Sequence, residues 1–276
     1  MNSQSHNSCA VMGNPIEQSK SPQIHTQFAE QFGMDLDYRR ILASDENFES
    51  LVREFFEQDG RGLNITAPFK ERAFALADVV CPQSEQSRSC NTLYMSDGKL
   101  HATTTDGYGW LADINRLGIE LSQAKILLLG AGGASRVLFY QLMSLTGAEE
   151  IAQIVVANRS QSRIEPLLVN SKVSGCELVN VPDKEYDLII NGLSLGLQNQ
   201  FPNIDINIKS NAHAYDLNYG VGSIPFQQWF HSRGGLEGNF HDGWGMLVGQ
   251  AARSFEIWWH KKPDVQPLIS KGPETI

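Results

Sequence analysis

Short apolar runs alternate with helix-period patterns along this 276-residue chain. That rhythm predicts an α/β protein. Residues 9–12 read as a strand, closed by the turn Gly13-Asn14-Pro15. Ser21-Pro22 predicts a helix start, with Ser21 as the cap and proline where its missing N–H costs nothing. Phe48, Leu51, Val52, Phe55 and Phe56 fall at i, i+3, i+4, i+7 and i+8, one face of a helix. Residues 63–66 predict a short strand that runs into Pro68. Residues 92–95 and 100–103 flank Ser96-Asp97-Gly98-Lys99, whose Asp-Gly pair predicts a hairpin.

After Asp106-Gly107 the pattern changes. A helix over 108–117 stops at Gly118, a residue suited to the left-handed end of a helix. A buried strand over 125–129 follows, then a glycine-rich turn, a helix and a second strand over 153–157. Residues 187–190 and 213–217 are strand-like, and 243–260 form the last strong helical pattern. The division expected is a first domain to Asp106, a dinucleotide-type domain over 107–242, and a final helix. Periodicity does not say which domain that helix packs on.

Composition narrows the function classes. The formal net charge is −9, from 22 Lys and Arg against 31 Asp and Glu, and no long basic run is present. Neither a nucleic acid nor an anionic membrane is an expected partner. An anionic substrate must then be held locally, by a few placed donors. The four cysteines (Cys9, Cys81, Cys90, Cys176) show no C-x-x-C spacing, and the seven histidines are scattered. No metal site is expected. Residues 1–7 lack the basic and apolar parts of a signal peptide, and no apolar run is long enough to span a bilayer. The expectation is a cytoplasmic protein with free thiols.

The strand over 125–129 runs into Gly130, Ala131, Gly132, Gly133, Ala134 and Ser135. Glycines there let the backbone approach a pyrophosphate, which sits on the free N–H groups of the helix that follows. Ser135 takes the place of the third glycine and is small enough for close helix–strand packing. A site for NAD usually carries an acid at the end of the second strand, to bond the ribose 2′-hydroxyl. This chain has Asn158-Arg159-Ser160-Gln161-Ser162-Arg163 instead. Two arginines four apart, sharing a helical face, suit a 2′-phosphate, so NADP is the cofactor expected.

Asn64-Ile65-Thr66-Ala67-Pro68-Phe69-Lys70 places a lysine just beyond a proline turn, and Thr105-Asp106-Gly107 places a carboxylate at another strand end. Oxidation of an alcohol by a nicotinamide needs a base for the hydroxyl proton, and the reverse needs an acid at the same place. A lysine held by an aspartate serves both. Taken alone, Lys70 and Asp106 read as surface charges, and spacing does not show that they meet.

Together these motifs, in order and along nearly the whole chain, resemble the shikimate dehydrogenase family. The resemblance is carried by Gly13-Asn14-Pro15-Ile16 through Ser19-Lys20-Ser21-Pro22, by residues 64–70, and by Asn91-Thr92-Leu93 and Thr105-Asp106-Gly107. Gly130 to Ala134, Asn158-Arg159-Ser160, Tyr215-Asp216-Leu217-Asn218-Tyr219 and residues 242–250 complete it. It implies a two-domain α/β fold: an N-terminal substrate domain over 1–106 plus 243–276, and a doubly wound Rossmann-type domain over 107–242. The C-terminal helix would return to the first domain. It implies reversible NADPH-dependent reduction of 3-dehydroshikimate to shikimate, on the route to chorismate and the aromatic amino acids. Ser19 and Ser21 would hold the substrate carboxylate, and Lys70 would be the acid/base, held with Asp106. Asn64, Thr66, Asn91, Tyr219 and Gln250 would orient the ring. Gly130, Ala131, Gly132, Gly133 and Ala134 would hold the pyrophosphate, and Asn158, Arg159, Ser160 and Arg163 the 2′-phosphate. Leu217 and Gly243 would meet the nicotinamide. The protein would be a monomer or homodimer.

Three stretches depart from the family pattern: Thr104 before Thr105-Asp106-Gly107, Ser89-Cys90 before Asn91, and Asn191-Gly192-Leu193-Ser194-Leu195-Gly196. Two alternatives stay open. One is a quinate/shikimate dehydrogenase using NAD or NADP, which the paired serines disfavour. The other is a weakly active NADP-binding relative with a regulatory role.

Overall fold

A computed structural model describes residues 7–147 and 150–276. The chain forms two compact units, one from the residues up to Gly109 together with Leu247–Ile276, the other Trp110–Met246.

The first unit is built on strands β1 (Ser8–Gly13), β2 (Asp37–Leu42), β3 (Gly62–Ile65), β4 (Val79–Val80), β5 (Thr92–Ser96) and β6 (Lys99–Thr103). Their order is β2-β1-β3-β5-β6-β4. Strands β1, β2 and β3 are parallel, whereas β5 runs antiparallel to both β3 and β6. The hairpin forms as the Asp-Gly pair predicts: Asp97 and Gly98 both have positive φ, 50° and 70°, the conformation that matches strand twist. Helices α1 (Ser21–Glu30), α2 (Phe48–Glu57), α3 (Lys70–Leu76) and α4 (Pro82–Ser87) connect these strands. Phe48, Val52 and Phe55 of α2 are buried, packing with Met12, Leu63 and Phe69.

One helix start differs from the sequence expectation. Lys20, in helical conformation, takes the cap position, and Ser21 is the first residue inside the helix with no capping bond. The Ser19 hydroxyl accepts the Ser21 backbone N–H at 3.3 Å, so the capping oxygen comes from two residues earlier. The Ser21 hydroxyl is turned toward Ser19 instead, 3.2 Å away.

The chain leaves the first unit within helix α5 (Asp106–Leu117). In the second unit, strands β7 (Lys125–Leu129), β8 (Gln153–Ala157), β9 (Val173–Cys176), β10 (Leu188–Asn191), β11 (His213–Asp216) and β12 (Phe240–His241) form an all-parallel sheet. The order β12-β11-β10-β7-β8-β9 is the doubly wound pattern, with its crossover between β7 and β10. Ile126, Leu128, Ile154 and Val156 point to one face, against Trp110, Leu138 and Leu142. Leu127, Leu129 and Val155 point to the other, against Phe226, Trp229 and Phe230. Burial on both faces is why these strands read as unbroken apolar runs. Helices α6 (Gly133–Met143), α7 (Gln161–Ile164) and α8 (Ile224–Ser232) accompany the sheet.

Helix α9 (Trp244–Trp259) carries the chain back, and α10 (Gln266–Lys271) ends it. From Leu247 onward these residues belong to the first unit, the point that periodicity left open. Gly62 makes the packing possible. A Cβ there would lie 2.2 Å from the Trp258 indole, so only glycine lets α9 lie on β3. Gly249 likewise meets Gly109, where a Cβ would come within 3.1 Å of the partner Cα.

Candidate active site

Strand β3 ends at Ile65, and the turn through Pro68 delivers Lys70 as the first residue of α3. Asp106 opens α5 just beyond β6. The two meet: Lys70 Nζ donates to Asp106 Oδ2 at 2.6 Å. The pair is unequally buried, with 19% of the lysine side chain exposed against 5% of the aspartate. The other carboxylate oxygen, Oδ1, accepts from Asn91 Nδ2 at 2.8 Å. With both oxygens occupied, the carboxylate is fixed, and the lysine is the member that reaches solvent.

Asn91 is buried, and its amide orientation is set from both ends. The Thr105 backbone N–H can only donate, and it meets Asn91 Oδ1 at 2.8 Å, so the nitrogen must face Asp106. Asn91 Nδ2 also donates to Gln250 Oε1 at 3.0 Å. Gln250 returns its own Nε2–H to the Leu247 carbonyl at 2.8 Å. Gln250 is therefore a buried member of this network, delivered by the close passage of Gly249 over Gly109. Asn64 is buried as well. Tyr38 donates to its Oδ1 at 2.7 Å, while its Nδ2 donates to the Asn91 carbonyl at 3.1 Å and to Ser254 Oγ at 3.1 Å. Thr66, half-buried, donates its backbone N–H to the Met12 carbonyl.

Ser19 and Ser21 stand side by side, with the Ser19 carbonyl held by Arg40 Nε at 3.0 Å. The Ser21 hydroxyl also acts on Tyr38, whose phenol burial pushes well above its usual range. Beneath them His25 is fully buried, stacked 4.4 Å from Tyr38 and 5.4 Å from Trp258. Burial pulls its imidazole down to about 3, so it is a neutral packing ring. Tyr38 and Ser254 were not singled out from the sequence, and Thr92 and Thr105 entered only as motif members with no role assigned. Ser254 had a usable signal, since it lies four residues after Gln250 on the same helical face.

In the second unit the glycine-rich turn leaves β7 at Gly130, whose φ is +98° and whose would-be Cβ lies 3.0 Å from the Gly192 carbonyl. Gly132 borders open space: no atom lies within 4 Å of a Cβ built there. Ala131 is buried, while Gly133 and Ala134 are half-buried at the start of α6, whose N–H groups lack intrahelical partners. Ser135 packs as its size predicts, since a Cβ on Gly192 would strike its Oγ at 2.1 Å.

At the end of β8, Asn158 Nδ2 donates to the Ser160 carbonyl at 3.1 Å and the Ser160 and Ser162 hydroxyls lie 2.9 Å apart. Arg159 and Arg163 are exposed, and among the described residues neither pairs with an acid. They do not share a helical face, because α7 is a single turn that begins at Gln161, after Arg159. The exposed, acid-free ending is nevertheless intact.

Leu217 is half-buried, and its N–H donates to the Asn191 carbonyl at 2.9 Å. Gly243 passes so close that a Cβ would lie 2.6 Å from the Leu217 carbonyl oxygen. Tyr219 is half-buried with its ring 5.9 Å from Trp244. It belongs to the second unit, apart in the chain from the other candidate ring-binding residues. Asp216 is completely buried at the end of β11. Its Oδ1 accepts from Asn191 Nδ2 and from the Asn218 N–H, while Oδ2 has no partner among the described residues. Burial raises its carboxyl to about 7 despite those donors.

A doubly wound sheet with an open glycine-rich first turn, joined to a separate α/β unit, defines a two-domain dinucleotide-binding class. Sequence and structural relatives sharpen that. A family model described as the shikimate dehydrogenase substrate binding domain matches residues 11–93, and one for the shikimate 5′-dehydrogenase C-terminal domain matches residues 243–269. The shikimate dehydrogenase (NADP(+)) of Glaesserella parasuis serovar 5 is 40% identical, covering 96% of this chain and 97% of its own. That of Actinobacillus succinogenes is 42% identical, covering 94% and 97%. Among solved structures, an Ael1 enzyme from Pseudomonas putida superposes with a TM-score of 0.86 at 36% identity, covering 96% and 97%. Shikimate 5-dehydrogenase from Thermus thermophilus, solved with NADP(H) and shikimate, gives 0.82 at 25% identity, covering 98% and 99%. The chain belongs to the shikimate dehydrogenase family.

Proposed function

We propose that this protein catalyses the reversible NADPH-dependent reduction of 3-dehydroshikimate to shikimate, with Lys70 as the acid/base and Asp106 as its holder. The observation that carries the reading is the 2.6 Å Lys70–Asp106 pair, set inside a network of neutral amides and hydroxyls. The curated relatives are named as NADP(+)-dependent shikimate dehydrogenases, and the Thermus relative holds shikimate and NADP(H).

NADPH, when bound, supplies the hydride. The residues of this chain do the rest. In the reducing direction the Lys70 ammonium donates its proton to the carbonyl oxygen of the substrate. In the oxidising direction the neutral amine takes the hydroxyl proton. Asp106 cannot wander, because Asn91 holds its second oxygen, so the lysine nitrogen is kept in one place. Ser19 and Ser21 present hydroxyls to the substrate carboxylate, and neutral donors let an acidic protein bind an anion without a basic patch. Asn64, Thr66, Asn91, Tyr219 and Gln250 orient the ring.

The second unit fits NADP. The open Gly132, with Gly130, Ala131, Gly133 and Ala134 around the start of α6, accommodates a pyrophosphate. The exposed, unpaired Arg159 and Arg163, with Asn158 and Ser160, suit a 2′-phosphate. Leu217 and Gly243 would line the nicotinamide end. The described residues contain no helix long and apolar enough to cross a membrane, and Cys9, Cys81, Cys90 and Cys176 are free, which favours a reducing compartment such as the cytoplasm. Steady-state turnover with shikimate and quinate, each with NADP and NAD, tests the reading. A large preference for shikimate with NADP supports it, and equal efficiency with quinate would replace it by a quinate/shikimate dehydrogenase.

A further inference from the structure

Successive side chains of a strand point to opposite faces, so Tyr38 and Arg40 of β2 share one face, and each acts on one of the paired serines. The Ser21 hydroxyl acts on the Tyr38 phenol. Arg40 Nε donates to the Ser19 carbonyl at 3.0 Å, and its Nη2 donates both to that oxygen and to Gln23 Oε1. Arg39, facing the other way, lies over the Phe55 ring. Ser19 is therefore held at both ends, its carbonyl by Arg40 and its Oγ by the Ser21 N–H. Among the described residues every Arg40 bond ends on a neutral acceptor, so the guanidinium charge is not cancelled. The other charges on this segment are engaged. Lys20 Nζ donates to the Ile276 backbone oxygen, and Glu17 accepts the Ile16 N–H.

We infer that Arg40 is a specificity-determining residue: its guanidinium supplies the positive charge of the subsite that takes the substrate carboxylate. The inference rests on Ser19 and Ser21 being the residues that bind that carboxylate. Serine hydroxyls can donate to a neutral ester or amide as well as to a carboxylate, so they do not by themselves select an anion. A chain of net charge −9 also repels one. A single fixed cation answers both points. The Ser19 carbonyl and hydroxyl belong to one residue, so a carboxylate on that hydroxyl comes within about a Debye length, ~10 Å at 0.1 M salt, of the guanidinium. Two N–H groups on one carbonyl oxygen keep the Arg40 side chain from swinging away. Because Arg40 is exposed, the attraction acts through solvent, and it is modest and sensitive to salt.

The test measures KM for shikimate in Arg40→Lys, Arg40→Gln and Arg40→Glu beside the wild-type chain, with NADP saturating at each salt concentration. At low salt Arg40→Gln should raise KM by about two- to fivefold, the factor that one exposed charge pair supplies. Arg40→Glu should raise it further. Arg40→Lys, which keeps the charge and loses the fork on the carbonyl, should stay near wild type. The value of kcat should hold in all three, and the differences in KM should close in ~0.5 M salt. Equal increases in the three variants, or increases that salt leaves untouched, would make Arg40 only a support for the Ser19 carbonyl and overturn the inference. An unchanged KM in Arg40→Glu would overturn it too. Failure of the underlying assignment shows separately, as a KM for shikimate that does not rise in Ser19→Ala.

Discussion

Lys70 and Asp106, separated by 36 residues, are joined at 2.6 Å with the aspartate the more deeply buried partner. A buried carboxylate with both oxygens occupied has no freedom to leave, whereas the lysine side chain is the more exposed of the two. The proposed mechanism divides the work accordingly, with Lys70 assigned to move the proton and Asp106 to hold it in place.

Lys70→Ala should reduce kcat by about 10²- to 10⁴-fold, the usual contribution of a placed acid/base. The dissociation constant for shikimate should change little, as read by calorimetry in the presence of NADP. Loss of binding in parallel with loss of rate would make Lys70 a binding residue.

Arg159 is exposed and meets no acid among the described residues, so its charge is available to a ligand. Losing a charge-assisted bond costs roughly 1.5–3 kcal/mol. Arg159→Ala should thus raise KM for NADP by about 10- to 100-fold, with little change for NAD. An equal effect on both cofactors would detach Arg159 from the 2′-phosphate.

Asp216 makes a prediction about pH. Its folded carboxyl titrates at about 7 because it is buried, with Asp242 adding to the upward push and the Asn218 and Asn191 donors only partly offsetting it. A raised acid holds its proton more tightly folded than unfolded. Its contribution is therefore complete below the unfolded value near ~4 and is lost as pH rises through about 7. Asp216→Asn keeps an oxygen for Asn191 and Asn218 and has no charge to form. The variant should melt higher than wild type above neutral pH, and the gap should close under acid conditions. A gap that is constant with pH would contradict the burial argument.

Gly62 is predicted to be irreplaceable for packing. In Gly62→Ala the new methyl meets the Trp258 ring, 2.2 Å away before any shift. Overpacking of this kind costs about 1–3 kcal/mol, readable as a lower denaturant midpoint. A neutral substitution would mean that α9 moves freely over β3.

Much of this was legible in the sequence. The strands over 125–129 and 153–157 read correctly because apolar runs buried on both faces leave no ambiguity of register. The Asp-Gly hairpin read correctly because positive φ at both turn positions demands such residues. Strand β2 did not, since Asp37, Arg39 and Arg40 are polar and exposed in it, and Tyr38 was missed with it. The cap at Ser21 misread because a hydroxyl two residues earlier took the bond. The meeting of Lys70 with Asp106 lay beyond spacing altogether, being made by three strands and a helix from the far end of the chain. Thr92 and Ser254 look like ordinary small residues until the fold places them between Asn64 and Asn91.

The most direct test of the central claim is the growth of reduced-nicotinamide absorbance on mixing the protein with shikimate and NADP, beside the same mixture with Lys70→Ala. The account predicts rapid, shikimate-dependent reduction by the wild-type chain and near-silence from the variant. Equal rates from the two proteins, or no reduction by the wild-type chain, would contradict it.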